Sequence, residues 1–182
     1  MDEKSVVLID GENVIRSWNY YCNQNDIRER IDYTKLIDLL SKNTNLLRGY
    51  FYDGVPEQIP VKKKNFIQAL QEKGIQIRTK ILKNRKTVCP NCSTTYERQI
   101  QKGVDISLAT DILRHALQKT CNICIIVSGD EDFKDAIECA KDAGIKIWVA
   151  SFRNSLSKEI KITADKIIYL DDLFNDIKFT EK

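Results

Sequence analysis

Two short apolar runs in this sequence each lead into a turn that carries acidic residues, which could bind a cation. Residues 6–9 precede Asp10, and residues 125–127 precede a turn that carries Asp130 and Asp132. Apolar, β-branched runs that stop at such turns are typical of buried strands. Because the carboxyl ends of adjacent parallel strands meet at one edge of a sheet, the two acidic turns are expected to lie side by side.

A third carboxylate, Asp105, lies in the first turn of a predicted helix. At about 100° per residue, Asp105 falls on the same helix face as Leu108, so it is expected to face the sheet. Asp111 falls about 140° from the centre of that face and is expected to face solvent. The edge that carries the two acidic turns is therefore expected to gain a third carboxylate.

Carboxylates gathered at one edge repel one another unless a divalent cation lies between them. Mg²⁺ and Mn²⁺ prefer oxygen ligands and contact substrates through phosphate oxygens. Such a cation activates water and neutralises the charge of a phosphodiester transition state. The alternative is structural, because aspartate is also a favoured turn and N-cap residue. Asp132, at a predicted helix start, fits that structural role best.

Predicted strands and helices alternate along the chain, which favours a three-layer α/β/α sandwich around a mostly parallel sheet. Right-handed crossovers favour the strand order 3-2-1-4-5, in which the first and fourth strands are neighbours at the point where ligands bind. Residues 18–30 lack clean periodicity and are predicted to form an irregular or partly helical lid. The strands are predicted at residues 6–9, 46–52, 75–82, 122–127, 145–151 and 167–170.

The length of 182 residues suits one domain with a full core, so residues 1–182 are interpreted as a single domain with an insertion at about 83–102. The net charge of +3 does not by itself require a nucleic-acid partner. No apolar run reaches bilayer length and no signal peptide is recognisable, so a cytoplasmic protein without a membrane anchor is expected. The six cysteines are then expected to bind metal or to be buried rather than to form disulfides.

The insertion carries Cys89 and Cys92, whose spacing is that of half a zinc site. Cys121 and Cys124 have the same spacing, but residues three apart on a strand face opposite sides. Cys124 and Cys139 are therefore predicted to be buried side chains. A loop without metal is the alternative to zinc, and the further ligands of a zinc site could be Cys121, Cys22 or residues of a second subunit in a homodimer.

Basic residues crowd the third predicted strand and the start of the insertion, where they could contact phosphates. Arg78, Lys80 and Arg85 are the candidates there, with a solvated basic face as the alternative. Ser155, at a predicted helix start, could hold a phosphate or simply cap the helix. Ser128, directly after the fourth strand, is a further candidate for substrate binding. The aromatic residues that could stack on bases are Trp18, Tyr20 and Tyr21.

Three motifs follow one another along the chain: Asp10-Gly11-Glu12-Asn13, Lys102-Gly103-Val104-Asp105 with Leu108-Ala109-Thr110-Asp111, and Ser128-Gly129-Asp130-Glu131-Asp132-Phe133. In this order and spacing they resemble the NYN domain, a branch of the PIN-like nuclease superfamily, and most closely its LabA-like group. The resemblance extends over about residues 6–173. It implies a PIN-like fold and metal-dependent cleavage of RNA. It also implies an acidic pocket formed by Asp10, Asp105, Asp130 and Asp132, with Asn13 as a polar companion.

The functional hypothesis is therefore a metal-dependent endoribonuclease that acts on RNA, expected to be single-stranded. Asp10, Asp105 and Asp130 are predicted to hold Mg²⁺ or Mn²⁺, Asp132 to position water, and Asn13 to orient the substrate or water. One alternative is a catalytically inactive module of the same fold that binds RNA or a protein. A phosphatase with an aspartate nucleophile is disfavoured, because the residues after Asp10 are Gly, Glu and Asn.

Overall fold

The described part of the chain contains eight strands and seven α-helices. A computed structural model describes residues 3–88, 92, 94–100 and 103–180, with the backbone alone for residues 84–88 and 96–100. The strands are β1 (Lys4–Asp10), β2 (Asn45–Val55), β3 (Gln76–Ile81), β4 (Lys83–Val88), β5 (Thr95–Ile100), β6 (Ile123–Val127), β7 (Lys146–Ser151) and β8 (Lys166–Tyr169). The helices are α1 (Gly11–Gln24), α2 (Tyr33–Ser41), α3 (Val61–Glu72), α4 (Val104–Leu117), α5 (Lys134–Asp142), α6 (Lys158–Thr163) and α7 (Phe174–Ile177), with a 3₁₀ turn at Glu131–Phe133.

Six parallel strands form the central sheet in the order β3-β2-β1-β6-β7-β8. The predicted order of the first five sheet strands is confirmed, and β8 adds a sixth strand beside β7. The third sheet strand lies at an edge, as the predicted order requires. The chain order reverses between β1 and β6, and this is the position where open α/β sheets bind ligands.

Helices pack against both faces of the sheet. Side chains on both faces of the central strands are therefore buried and apolar. In β1, Val7 and Ile9 belong to the core under α1, α2 and α7, while Val6 and Leu8 belong to the core under α4 and α5. In β6, every residue is buried. This two-sided burial explains why the strands read as unbroken apolar runs in the sequence.

Residues 18–30 are partly helical, as predicted: α1 extends to Gln24, and residues 25–30 follow it without helical structure. Trp18 is 2% exposed and stacks on Phe174 with ring centroids 4.5 Å apart. Tyr21 also packs against Phe174, whereas Tyr20 is exposed. Because its indole is enclosed by α7, Trp18 is a core residue and is not available to stack on bases.

The insertion contains an antiparallel hairpin, in which β4 pairs with β5 from Lys83 opposite Ile100 to Val88 opposite Thr95. Cys124 is buried as predicted, but Cys139 is exposed on α5, so that prediction was wrong. None of the helices within the described ranges combines the length and the apolar character that crossing a bilayer requires.

Candidate active site

Asp10 is the last residue of β1, and both of its carboxylate oxygens are engaged. Oδ1 accepts a hydrogen bond from the backbone N–H of Asn13 at 3.1 Å, which caps α1. Oδ2 accepts a hydrogen bond from the hydroxyl of Ser128 at 3.1 Å. The carboxylate is 4% exposed, and these contacts hold it at the carboxyl edge of the sheet.

The turn after β6 is tied to the turn after β1. The N–H of Gly129 donates to Oδ1 of Asn13 at 3.4 Å, and the N–H of Asp130 donates to the Ser128 hydroxyl at 3.3 Å. Ser128 is buried and bonded to Asp10, so in this structure it supports a carboxylate of the site. Asn13 bridges the two turns in the same way, because its N–H donates to Asp10 and its side-chain oxygen accepts from Gly129. The two acidic turns therefore lie side by side, as their places in the sequence predict.

Asp130 caps the 3₁₀ turn, because its Oδ1 accepts a hydrogen bond from the N–H of Asp132 at 3.1 Å. The expectation that Asp132 best fits the capping role was wrong, since Asp130 and Asp10 are the residues that cap. Asp130 is partly exposed and Asp132 is exposed at the rim of the edge. Capping uses one oxygen of Asp130 and is compatible with a second role for its carboxylate.

Asp105 lies in the first turn of α4, as predicted, and its side chain is partly buried. Its pKa is raised by burial first and then by the negative charges of Asp130, Asp132 and Glu12. Sequence reasoning missed Glu12 as a member of this acidic group, although it lies within the first motif. Glu12 also pairs with Arg16 at 2.7 Å.

The carboxylates share one electrostatic environment. The pKa of Asp10 is raised to about 6, chiefly by burial and in addition by the charges of Asp105 and Asp130, against the lowering effect of the hydrogen bonds from Asn13 and Ser128. A divalent cation would relieve both the burial cost and the repulsion, and the all-oxygen donor set suits Mg²⁺ or Mn²⁺. Within the ranges that the structure describes, no three potential ligand residues are already drawn together as a metal cluster.

Metal-free protein is expected to lose stability through Asp10 as the pH rises. The pKa of Asp10 is 3.8 ordinarily and about 6 in the folded chain, so the folded state holds this proton more tightly. The resulting stabilisation is complete below the unfolded value and is lost as the pH passes the folded value. At neutral pH this loss corresponds to roughly 3 kcal/mol.

The measurement is the difference in melting temperature between Asp10→Asn and the wild type, both in EDTA. The difference should grow in favour of Asp10→Asn as the pH rises from about 4 to about 7, because the amide cannot ionise. A difference that stays constant over this range would contradict the buried-carboxylate interpretation.

A polar cleft of about 600 Å³ adjoins the acidic edge, between Asn13 on one side and Ser155 on the other. Its lining includes Asp130, Tyr20 and Arg16. Ser155 lies in a loop, where its hydroxyl is 3.1 Å from the Ser151 hydroxyl. The predicted helix start was wrong by two residues, because Ser157 caps α6 through the N–H of Ile160. Ser155 therefore faces the site as part of a loop and not as a helix cap.

A second cleft, of about 840 Å³, lies between β3 and α4. Two of the predicted phosphate contacts, Arg78 and Lys80, line it. Arg85 lies on β4, but its side chain is outside the described part of the chain. The expectation that Asp111 faces solvent was wrong: this residue is 4% exposed and contacts the Tyr52 hydroxyl beneath α4.

The predicted zinc site falls largely outside the described residues. Cys89 lies outside the described residues. Cys92 is described and exposed, with its Sγ 3.3 Å from the hydroxyl of Thr94. Zinc at this pair stays a prediction.

Comparison with known proteins identifies the family. Residues 4–171 match the NYN domain. The chain is 25% identical over 190 residues to the low amplitude and bright protein LabA of Synechococcus elongatus, a match that covers 97% of this chain and 88% of that protein. A 76-residue match at 30% identity to the uncharacterized protein y4oD of Sinorhizobium fredii covers 40% of this chain and 36% of that one. The crystal structure of a protein of unknown function from Vibrio parahaemolyticus shares the fold, with a TM-score of 0.70 at 20% identity over 98% of this chain and 97% of that chain. The chain belongs to the NYN domain family, in its LabA-like group.

Proposed function

We propose that this protein is an endoribonuclease that hydrolyses phosphodiester bonds in RNA with the help of Mg²⁺ or Mn²⁺. NYN domains are generally nuclease-like, which supports the chemical class. The observation that carries the proposal is the pair of acidic turns joined by the Ser128–Asp10 and Asn13–Gly129 hydrogen bonds, with Asp105 close enough to raise the pKa of Asp10. The whole chain would act as one domain, with residues 83–102 inserted into it.

Each residue of the site has a role that follows from its position. Asp10, Asp105 and Asp130 would hold the cation, which would activate water and neutralise charge on the phosphate when bound. Asp132, exposed at the rim, would position the attacking water. Asn13 would orient the substrate or that water from the wall of the polar cleft.

The substrate we propose is single-stranded RNA. Arg78 and Lys80 offer charges for phosphates at the second cleft. Arg85, on β4, is proposed as a further phosphate contact. Tyr20 is 53% exposed in the lining of the polar cleft, where its ring could stack on a base. Ser155 is proposed as a further contact from the same lining. A cytoplasmic location would bring the protein to such RNA.

The test is cleavage of labelled single-stranded RNA by the purified protein. Cleavage should require Mn²⁺ or Mg²⁺, stop in EDTA, and open a circular RNA, because an endonuclease needs no free end. A double-stranded RNA of the same sequence is the control for strandedness. Tight RNA binding without cleavage of either substrate would instead support a catalytically inactive RNA-binding module, and binding to neither would support a protein-binding module.

A separate proposal is structural zinc at Cys89 and Cys92, shared between two subunits or completed by another cysteine of the chain. Protein purified without chelator should contain zinc, and the double variant Cys89→Ser, Cys92→Ser should lose it. Native mass spectrometry of both proteins decides whether the metal joins a homodimer. Equal zinc content in the wild type and the double variant would exclude this pair as ligands.

A further inference from the structure

The buried carboxylate of Asp111 holds two arginines at the mouth of the second cleft. Its Oδ2 accepts a hydrogen bond from the Tyr52 hydroxyl at 2.7 Å, and its Oδ1 lies 2.6 Å from Nη1 of Arg114. Nε of Arg78 lies 3.6 Å from the same carboxylate. The Asp111 side chain is 6% exposed, whereas those of Arg78 and Arg114 are 44% and 49% exposed. The arginines are therefore anchored at one side and open to the cleft at the other.

Arg78 is also held in place by its position on β3 and by the aromatic ring of Tyr50. Its guanidinium lies over the Tyr50 ring, 5.6 Å from the centroid. Guanidinium groups are planar and present several donors in a rigid fork, which matches the oxygens of a phosphate. An anchor that limits the rotation of this fork lowers the entropy lost when a phosphate binds.

The sheet connects this arginine pair to the acidic edge. Asp10 is opposite Tyr52 in the β1–β2 pairing, and Tyr52 is opposite Arg78 in the β2–β3 pairing. Residues paired in this way in parallel strands project to the same face, here the face that α4 covers. At a strand spacing of about 4.8 Å, the backbones of Asp10 and Arg78 are roughly 10 Å apart. Adjacent nucleotides of one strand can span this distance.

The composition of the second cleft fits a polyanion. Among the residues that the structure describes, its lining carries Arg78, Lys80, Lys83 and Arg114 against one carboxylate, that of Asp111. Ser107 and Thr110, on the exposed side of α4, add hydroxyl groups. Asp105 is on the same helix, two positions before Ser107, so the cleft begins beside the acidic edge. The positive charge of the second cleft and its position beside the acidic edge both favour the backbone of an RNA strand that passes from the cleft to the acidic edge.

We propose that this cleft binds the phosphodiester backbone next to the cleaved bond, and that Asp111 is a positioning residue that aims Arg78 and Arg114 at successive phosphates. The identity of the ligand as the substrate strand rests on the proposed nuclease function. The proposal that the cleft binds an RNA strand does not rest on that function, because RNA binding is measured without a metal ion.

The test measures binding of a labelled single-stranded RNA in EDTA, at several salt concentrations. Arg78→Gln and Arg114→Gln should each weaken binding and lower the slope of log Kd against log salt by about 0.7, as expected for one lost phosphate contact on a single strand. Arg28→Gln is the matched control, since Arg28 is exposed in the segment after α1, where the neighbouring Ile27 packs against the core on the other face of the sheet. Unchanged slopes for both cleft variants would overturn the proposal.

Asp111→Asn separates positioning from simple electrostatics. It removes a negative charge, so electrostatics alone predicts tighter RNA binding, whereas misdirected arginines predict weaker binding by several-fold. Binding as tight as that of the wild type, or tighter, would overturn the positioning role. If Asp111→Asn does not fold, Tyr52→Phe takes its place, because it frees the carboxylate without altering charge and should also weaken binding.

The outcomes distinguish this inference from the nuclease assignment. An inactive wild type whose RNA binding depends on Arg78 and Arg114 would leave the cleft in place and remove the cleavage function. An active wild type whose RNA binding is unaffected by both arginine variants would support the cleavage function and overturn the role of the cleft.

Discussion

Asp130→Asn is expected to lower Mn²⁺-dependent RNA cleavage by roughly a hundredfold or more while leaving the melting temperature near that of the wild type. The side-chain oxygen of asparagine can still accept the hydrogen bond that Oδ1 of Asp130 takes from Asp132, so the 3₁₀ turn keeps its cap. The charge that a divalent cation needs is lost. The variant therefore separates the capping role of this residue from its proposed metal-binding role.

The matched control is Asp135→Asn, which makes the same change at an exposed position in the first turn of α5. Its cleavage rate should equal that of the wild type. Both variants and the wild type are assayed on one labelled single-stranded RNA across a range of Mn²⁺ concentrations. Equal rates for Asp130→Asn and the wild type would remove Asp130 from the site, whereas recovery at high Mn²⁺ would show that metal affinity is what the variant lost.

Gly129→Ala is expected to damage both the fold and the site. A Cβ at this position would lie 2.2 Å from the backbone oxygen of Ser155 and 2.6 Å from the Ser151 hydroxyl. Backbone cannot move aside as a flexible side chain can, so the loop and the turn must separate. We expect a loss of about 3 kcal/mol, or a fall in melting temperature on the order of 10 °C. Cleavage should fall even below the new melting temperature, because displacement of this turn also displaces Asp130.

Gly144→Ala serves as the control for this variant. Gly144 has φ of +90°, but an added Cβ would meet nothing within 4 Å. The alanine should therefore cost about 1 kcal/mol through backbone strain alone and leave cleavage unchanged. Thermal melting and the RNA assay are run on both glycine variants. A Gly129→Ala protein with wild-type stability and activity would show that the loop of Ser155 yields easily.

The framework of the fold follows from local patterns in the sequence. Buried parallel strands produce continuous apolar runs, and the rule for right-handed crossovers then leaves few possible topologies, one of which has the observed order of the first five sheet strands. The juxtaposition of Asp10 and Asp130 follows from that order, and the place of Asp105 in the first turn of α4 follows from helical periodicity. These are short-range signals, or topological consequences of them.

What the sequence did not reveal depends on contacts between distant elements. Trp18 looked available for stacking on bases because its packing partner, Phe174, belongs to the last helix. Asp111 looked exposed because a carboxylate off the apolar face of a helix usually is. Its burial is stabilised by Tyr52 and by an arginine of another strand, and neither can be inferred from the sequence of α4 alone. The cap of α6 fell on Ser157 and not on Ser155 because Phe152 and the residues after it form a turn first.

The hydrogen bonds that join the two acidic turns also determine when the site can exist during synthesis. Ser128 and Asp10 are 118 positions apart, and Gly129 and Asn13 are 116 apart. Asp10 therefore leaves the ribosome long before the residues that anchor it. We expect a chain truncated before β6 to show no Mn²⁺-dependent rise in melting temperature, measured beside the full chain, and such a rise in the fragment would refute this order of assembly. A growing chain, surrounded by RNA at the ribosome, would then carry no completed cleavage site until its fourth sheet strand has been made.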